Sequence, residues 1–135
     1  MKSATFFDFE DVMEDVTRHF KKIDSNQYGL EGVTPIVDQS ANEICGFTNL
    51  DPDINSICPP YIVFGDHTRR IKFVDMDFIL GADGTKVLKP KIKADHKYLY
   101  HCLRALKIEE VGYSRHYKFL KRFKLFVHHL QNNSA

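Results

Sequence analysis

The sequence predicts an α+β (mixed α/β) domain, with helices flanking a twisted, mostly antiparallel or mixed sheet. Three observations carry that expectation. Apolar residues recur at helical spacing in two separate segments, 9–20 and 95–107. Between them lie short apolar or alternating runs punctuated by Gly, Pro and Asp, the pattern of strands and turns. At 135 residues, 43% hydrophobic and 27% charged, the chain holds one domain's worth of core. It carries no internal repeat and no low-complexity segment.

Residues 1–24 are expected to form an N-terminal amphipathic helix. Phe9, Val12, Met13, Val16 and Phe20 recur every three or four residues, while Glu10, Asp11, Glu14 and Asp15 take the other face. Asp8 is the expected N-cap, Lys21 and Lys22 complement the helix dipole in the last turn, and Asp24-Ser25-Asn26 supplies the turn chemistry that stops it. The main body, 25–127, changes to short strands, expected at 33–37, 43–47, 61–64, 70–74, 78–80 and 86–88. Residues 49–60, with Asp51-Pro52-Asp53 and Pro59-Pro60, read as a loop. Tyr61-Ile62-Val63-Phe64 is continuously apolar up to Gly65, the pattern of a buried strand that delivers the next residues to a surface loop. Asp95 is the N-cap of a second helix over 95–107, whose stripe of Tyr98, Leu99, Cys102, Leu103 and Leu106 points to core packing. Gly112 marks a turn. The period of 117–130 is ambiguous, and a short helix followed by a strand is expected there; 128–135 is a C-terminal tail.

The net charge of +1 conceals a split. Residues 1–85 hold seven Lys or Arg against fifteen Asp or Glu, a balance of −8, and residues 86–135 hold twelve against three, a balance of +9. Lys86, Lys89, Lys91 and Lys93 cluster around Pro90, and Arg115, Lys118, Lys121, Arg122 and Lys124 form a second group. The folded chain is therefore expected to present a basic face, for which two readings stay open: a nucleic-acid footprint, or a solvated surface paired with the acidic first half. No apolar stretch is long enough to span a membrane and the acidic N-terminus is unlike a signal peptide, so a cytoplasmic protein without membrane contact is expected. Cys45, Cys58 and Cys102 are odd in number and widely spaced, which fits buried free thiols. His128-His129 is adjacent rather than one helical turn apart, and neither a metal nor a cofactor is expected.

Three loops concentrate the chemistry: Gly65-Asp66-His67-Thr68-Arg69-Arg70-Ile71-Lys72, Gly81-Ala82-Asp83-Gly84, and Gly112-Tyr113-Ser114-Arg115-His116-Tyr117. Gly65, Asp66, Gly81, Asp83, Gly84 and Gly112 read as loop architecture, with Asp66 capping backbone amides of its turn or holding Arg69 or His67. Consecutive arginines on a strand face opposite ways, so at most one of Arg69 and Arg70 need serve the fold. The other is free for a guanine edge or a phosphate, with Gln39, Ser40, His67 and Thr68 as shorter polar groups nearby. Lys72, Lys86, Lys89, Lys91, Lys93, Tyr113, Arg115, His116 and Lys118 complete the candidate DNA-contact set. Tyr117 fits either a surface contact or a core aromatic. The sequence has no Gly-x-Ser-x-Gly elbow, phosphate-binding Gly-rich loop or His-Glu-x-x-His helix, and Asp66-His67 lacks a third group, so no catalytic residue is expected.

These loops resemble the target recognition domain of the specificity subunit of type I restriction-modification enzymes. The likeness runs over about residues 20–127, through Tyr28 and Gly32, Pro35-Ile36-Val37-Asp38-Gln39-Ser40, Ile44-Cys45-Gly46-Phe47-Thr48, Ile62 to Arg69, Phe78 to Gly84, and Gly112 to Tyr117. The pair Gly-Asp-His-Thr-Arg and Gly-Ala-Asp-Gly is its most specific part. The resemblance implies a non-catalytic target recognition domain over 25–127 that binds double-stranded DNA and reads a short half of a bipartite site. It also implies partners: modification (methyltransferase) and restriction subunits, or a second recognition domain. The family's long spacer helix is not expected after 127, where this sequence has His128-His129-Leu130-Gln131-Asn132-Asn133-Ser134-Ala135. The competing expectation is an interaction or regulatory protein that docks a restriction-modification or other partner without DNA specificity of its own.

Overall fold

The computed structural model describes residues 4–109 and 115–128. Its fold is α+β, built on three sheets. The strands are β1 (Ala4–Asp8), β2 (Met13–Asp15), β3 (Lys22–Ile23), β4 (Thr34–Val37), β5 (Gly46–Thr48), β6 (Tyr61–Gly65), β7 (Ile71–Val74), β8 (Ile79–Gly81), β9 (Thr85–Pro90) and β10 (Lys124–His128). The helices are α1 (Phe9–Val12), α2 (His96–Arg104) and α3 (Tyr117–Leu120), with single 3-10 turns at Thr17–His19 and Ser25–Gln27. One sheet is antiparallel, in the order β2-β9-β6-β7. A second is mixed, in the order β3-β8-β4-β5, where β8 runs parallel to both β3 and β4. The third is the pair β1-β10.

Central strand β6 is buried along its whole length, as its unbroken apolar run requires. Side chains alternate across a strand, so its residues serve two cores. Ile62 and Phe64 join Leu88, Leu99, Leu103, Leu120 and Leu125 in one. Tyr61 and Val63 join Val37, Phe78, Leu80 and Val87 in the other. In the second core Phe20, Tyr61 and Phe78 form an aromatic triad, with ring centroids 4.7 Å apart for the stacked Phe20–Phe78 pair and 5.0 and 5.7 Å for the two edge-on contacts with Tyr61. The Tyr61 hydroxyl donates to the Asp77 carboxylate at 2.7 Å, so its polar end is satisfied. A smaller cluster of Ile23, Ile36 and Ile79 packs beneath the mixed sheet.

The N-terminal amphipathic helix is corrected. Phe9, Val12, Met13, Val16 and Phe20 are all buried, but the chain between them turns through one helical turn, strand β2 and a 3-10 turn. A straight helix would direct all five side chains at one core. Here Phe9, Val12 and Met13 enter the first core while Val16 and Phe20 enter the second, and β2 pairs with β9 between them. Asp8 makes no side-chain cap bond, and its carboxylate lies 3.7 Å from Lys124 Nζ instead. Lys22 opens β3 and Lys21 Nζ donates to the Asp51 carbonyl, so neither closes a helix.

The other elements follow the sequence pattern with shifted ends. The strand expected at 43–47 is Gly46–Thr48, and the one expected at 86–88 extends to Thr85–Pro90. Helix α2 begins where Asp95 accepts from the Lys97 amide at 2.9 Å and buries Leu99 and Leu103. Residues 117–128 form a short helix and then a strand. Truncation of Phe78, fully buried in the triad, to alanine should lower the unfolding free energy by ~3–5 kcal/mol in a urea titration; a loss under ~1 kcal/mol would mean that the triad carries little of the fold.

Candidate nucleic-acid interface

The hairpin turn between β6 and β7 is closed by Gly65 N to Arg70 O and Arg69 N to Gly65 O, both at 2.8 Å. Its shape is imposed from outside by Gln39, which follows β4 and is only 6% exposed. Gln39 Oε1 accepts from the amides of His67 and Thr68, both at 2.9 Å, and Nε2 donates to the carbonyl of Asp83 in the 81–84 turn. The Gln39 carbonyl accepts from Thr68 Oγ1 and from the Arg70 guanidinium, each at 3.1 Å. The carboxylate of Asp83 takes the Gln39 amide at 3.3 Å and both the amide and hydroxyl of Thr85. One buried carboxamide thus joins two loops, 28 and 44 positions away from it in sequence.

Asp66 adds the third. Its side chain is almost fully buried; Oδ1 accepts from Tyr117 N at 2.7 Å, and Oδ2 faces the Arg115 guanidinium at 3.7 Å. Its carbonyl accepts from the His116 amide at 2.7 Å and meets His116 Nδ1 at 2.9 Å. A carbonyl oxygen can only accept, so Nδ1 carries the proton in this arrangement. The expected capping role of Asp66 is therefore directed at the 116–117 backbone rather than at its own turn.

The glycines fit this close assembly. A Cβ on Gly65 would lie 2.6 Å from Gln39 Cβ, and one on Gly81 would lie 2.7 Å from Asp38 Cβ. Gly84 has φ +86°, a left-handed conformation that side chains resist. Gly112 and Tyr113 lie outside the described residues.

The cationic candidates do not share one face. In β9, Lys86 and Lys89 are three residues apart and leave opposite sides of the sheet. Lys86 Nζ lies 4.0 Å from Asp15 and 5.7 Å from the Tyr117 ring. Lys89 Nζ donates to the carbonyls of Cys58 and Pro60, both at 2.8 Å, beside the Tyr61 ring, and burial pulls its ammonium below the usual lysine range. Lys91 Nζ is taken by the Glu10 carbonyl at 2.9 Å, whereas Lys93 is exposed. Lys72 Nζ donates to the carbonyls of Asp38 and Asn42 at 2.6 and 2.7 Å, and burial lowers it too. His67 is exposed beside Gly84, Arg115 is 71% exposed at its side chain, and Lys118 is exposed over the Phe119 ring. His116 is buried, and the backbone amide of Ser40 donates to Asp38 Oδ1 at 2.9 Å. Arg69 is not on a strand: it occupies the turn at φ 64°, which removes the alternation argument for the arginine pair.

The exposed face of α2 escaped the sequence reading, which took that helix for its apolar stripe. Lys97 and Arg104 are seven residues apart, hence on one helical face, and they border a groove of about 730 Å³ shared with Arg70 and Lys72. Each cation lies over a ring, Lys97 over Phe73 at 5.6 Å and Arg104 over Tyr100 at 5.5 Å. The spacing was present in the sequence. The pairing of Arg104 with Tyr100 on the same helix was present there too, but that of Lys97 with Phe73 on β7 was not.

Behind the platform, the Tyr28 hydroxyl donates to Asp38 Oδ2 at 2.9 Å, and burial with the neighbouring carboxylate raises the phenol. Burial also pushes the Cys45 thiol up to about 12. At Asp38 burial acts to raise the carboxyl, but hydrogen bonds from Ser40 and Tyr28 outweigh it and hold it below its ordinary 3.8. Among the described residues no group of three or more His, Cys, Asp or Glu is placed to hold a metal ion, and no helix is long and apolar enough to cross a membrane.

No family model and no curated protein matches the sequence. Among solved structures, a type I restriction-modification system S subunit from M. genitalium superposes with a TM-score of 0.66 at 14% sequence identity. The match covers 98% of this chain and 36% of the S subunit, so the chain spans about a third of that protein's length. The chain is similar to that portion in fold.

Two outcomes test the assembly. Gln39→Ala should cost ~1–3 kcal/mol, because it orphans the turn amides, while Gln39→Glu should fail to restore the Asp83 end, where a carboxylate would face a carbonyl and a second carboxylate; urea titrations compare the variants. Asp38 has a lowered folded pKa, so its contribution is present above the ordinary value of 3.8 and is lost as pH falls through the lower folded value. Asp38→Asn should therefore flatten the acid limb of stability below about pH 4; an unchanged limb would remove Asp38 from the acid transition.

Proposed function

We propose that this chain is a non-catalytic target recognition domain, similar to that of a type I restriction-modification specificity subunit, which binds double-stranded DNA and reads one short half-site. The observation that carries the reading is the fusion of the 65–70, 81–84 and 115–117 segments into one platform by Gln39 and Asp66. That platform presents His67, Arg70 and Arg115 on exposed ground. Loop side chains on a rigid base suit direct readout, since the groove edges of bases demand fixed donor and acceptor positions. The fold likeness to an S subunit agrees with this assignment. Asp66, the carboxylate next to His67 in sequence, is buried and committed to the Tyr117 amide, which speaks against a paired acid–base role for the two. The partners on this reading are duplex DNA, and beyond it modification and restriction subunits or a second recognition domain, in the cytoplasm.

A second reading, docking of a protein partner, is favoured by one feature. Leu30 and Val33 are 97% and 80% exposed, on a loop tied to β5 by the Gly29–Phe47 bridge. Apolar side chains displayed so fully are suited to contact with another protein.

Selection from random duplex DNA at near-physiological salt separates the two. Enrichment of one short contiguous motif is expected; retention of every duplex alike, or of none, would leave the protein-docking reading in its place. Within an enriched motif, His67→Ala should relax preference at a single base position by ~1–3 kcal/mol without altering the salt dependence, as expected of a base contact.

A further inference from the structure

Arg69 and Arg70 from the β6–β7 turn and Arg104 from the end of α2 line a common cleft of about 260 Å³, with Ile71 and Ile108 among its apolar walls. Among the described residues no carboxylate lines it. The ion pairs among the described residues involve other cations: Arg18, Lys86, Arg115 and Lys124. Three arginines therefore line one cleft with no ion-pair partner of their own among the described residues, an arrangement that an entering anion lowers in energy.

Each arginine is aimed by a neutral partner that leaves its charge intact. Arg69 donates to the Ile108 carbonyl at 2.7 Å, Arg70 to the Gln39 carbonyl at 3.1 Å, and Arg104 lies over the Tyr100 ring at 5.5 Å. Arg69 Nε is buried with no hydrogen-bond partner, a donor still awaiting an acceptor. The Arg69 backbone at φ 64° is a conformation that costs a non-glycine residue energy, and such outliers concentrate where a side chain is held for use. Arg70 and Arg104 also border the larger groove alongside, where Glu43 and Asp75 stand, whereas Arg69 lines only the smaller cleft.

We propose that this cleft is a phosphodiester seat, in which Arg69, Arg70 and Arg104 together hold one phosphate of a nucleic-acid backbone. Guanidinium groups match phosphate oxygens in planar, bidentate geometry. A phosphate contact fixes the position of a bound strand and carries no sequence information, so the seat sets the register in which the neighbouring loops read. The proposal deepens the DNA-recognition reading and rests on it only for the source of the phosphate.

The test follows the arginine Nε–Hε NMR signals of the full chain during titration with inorganic phosphate and, separately, with dimethyl phosphate, signals being assigned by single Gln variants. Dimethyl phosphate should shift the signals of all three arginines, and Arg104→Gln should weaken the response of the other two, with Arg104→Lys intermediate. Shifts with inorganic phosphate alone would mark a free-phosphate site and overturn the backbone seat, as would no shift with either anion. On duplex DNA, Arg104→Gln should weaken all sequences alike and reduce the slope of log K against log salt by about 0.9, one phosphate's worth. An unchanged slope in a protein that binds DNA would overturn the seat and leave DNA recognition standing. Dimethyl phosphate shifts in a protein with no duplex affinity would support the seat and sink the DNA reading.

Discussion

The carboxamide of Gln39 is the interaction on which the candidate surface depends. Its oxygen uses both lone pairs on adjacent amides of one turn, and its nitrogen reaches the next turn. Such a group, buried and bonded at both its oxygen and its nitrogen, converts two flexible connections into parts of one body, because releasing either turn would leave polar atoms unpaired away from water. Gly65 and Gly81 permit the close approach that this bonding needs. The polar platform is thus determined by a residue that contributes nothing to its exposed chemistry.

Beneath the platform, β6 binds the two cores together. An antiparallel strand covered on both faces cannot shift register by one residue without exchanging its entire set of side chains between cores. That constraint fixes where Gly65 ends the strand and where Asp66 turns back to receive the 116–117 backbone. The same sheet explains the fate of the basic half of the chain. Strand periodicity in β9 sends Lys86 and Lys89 to opposite faces, and backbone carbonyls take up Lys89 and Lys91, as they do Lys72 of the first half. Exposed positive charge is left chiefly to turn and helix residues such as Arg70, Arg104, Arg115 and Lys118, whose backbones do not alternate.

The sequence by itself determined the elements whose cause is local. Alternation and apolar runs placed β4, β6, β7 and β9 within a residue or two, Asp95 marked the start of α2 through its own cap bond, and the ambiguous period of 117–130 resolved as the helix and strand it suggested. Burial of Phe9, Val12, Met13, Val16 and Phe20 was also legible, since hydrophobicity alone drives it. Their conformation was not legible: helical spacing is equally met by a chain that crosses from one core to another, and the choice was made by the pairing of β2 with β9. The three loops could be singled out because glycines and charged residues mark them. Their union through Gln39 and Asp66, the left-handed turn of Arg69 and the meeting of Arg104 with Arg69 and Arg70 were decided by tertiary structure, because each joins residues separated by at least 28 positions or depends on a backbone state that such a contact imposes. Spacing along a chain reports neighbours within a helix or strand; only the packing of those elements reports which charges share a cleft.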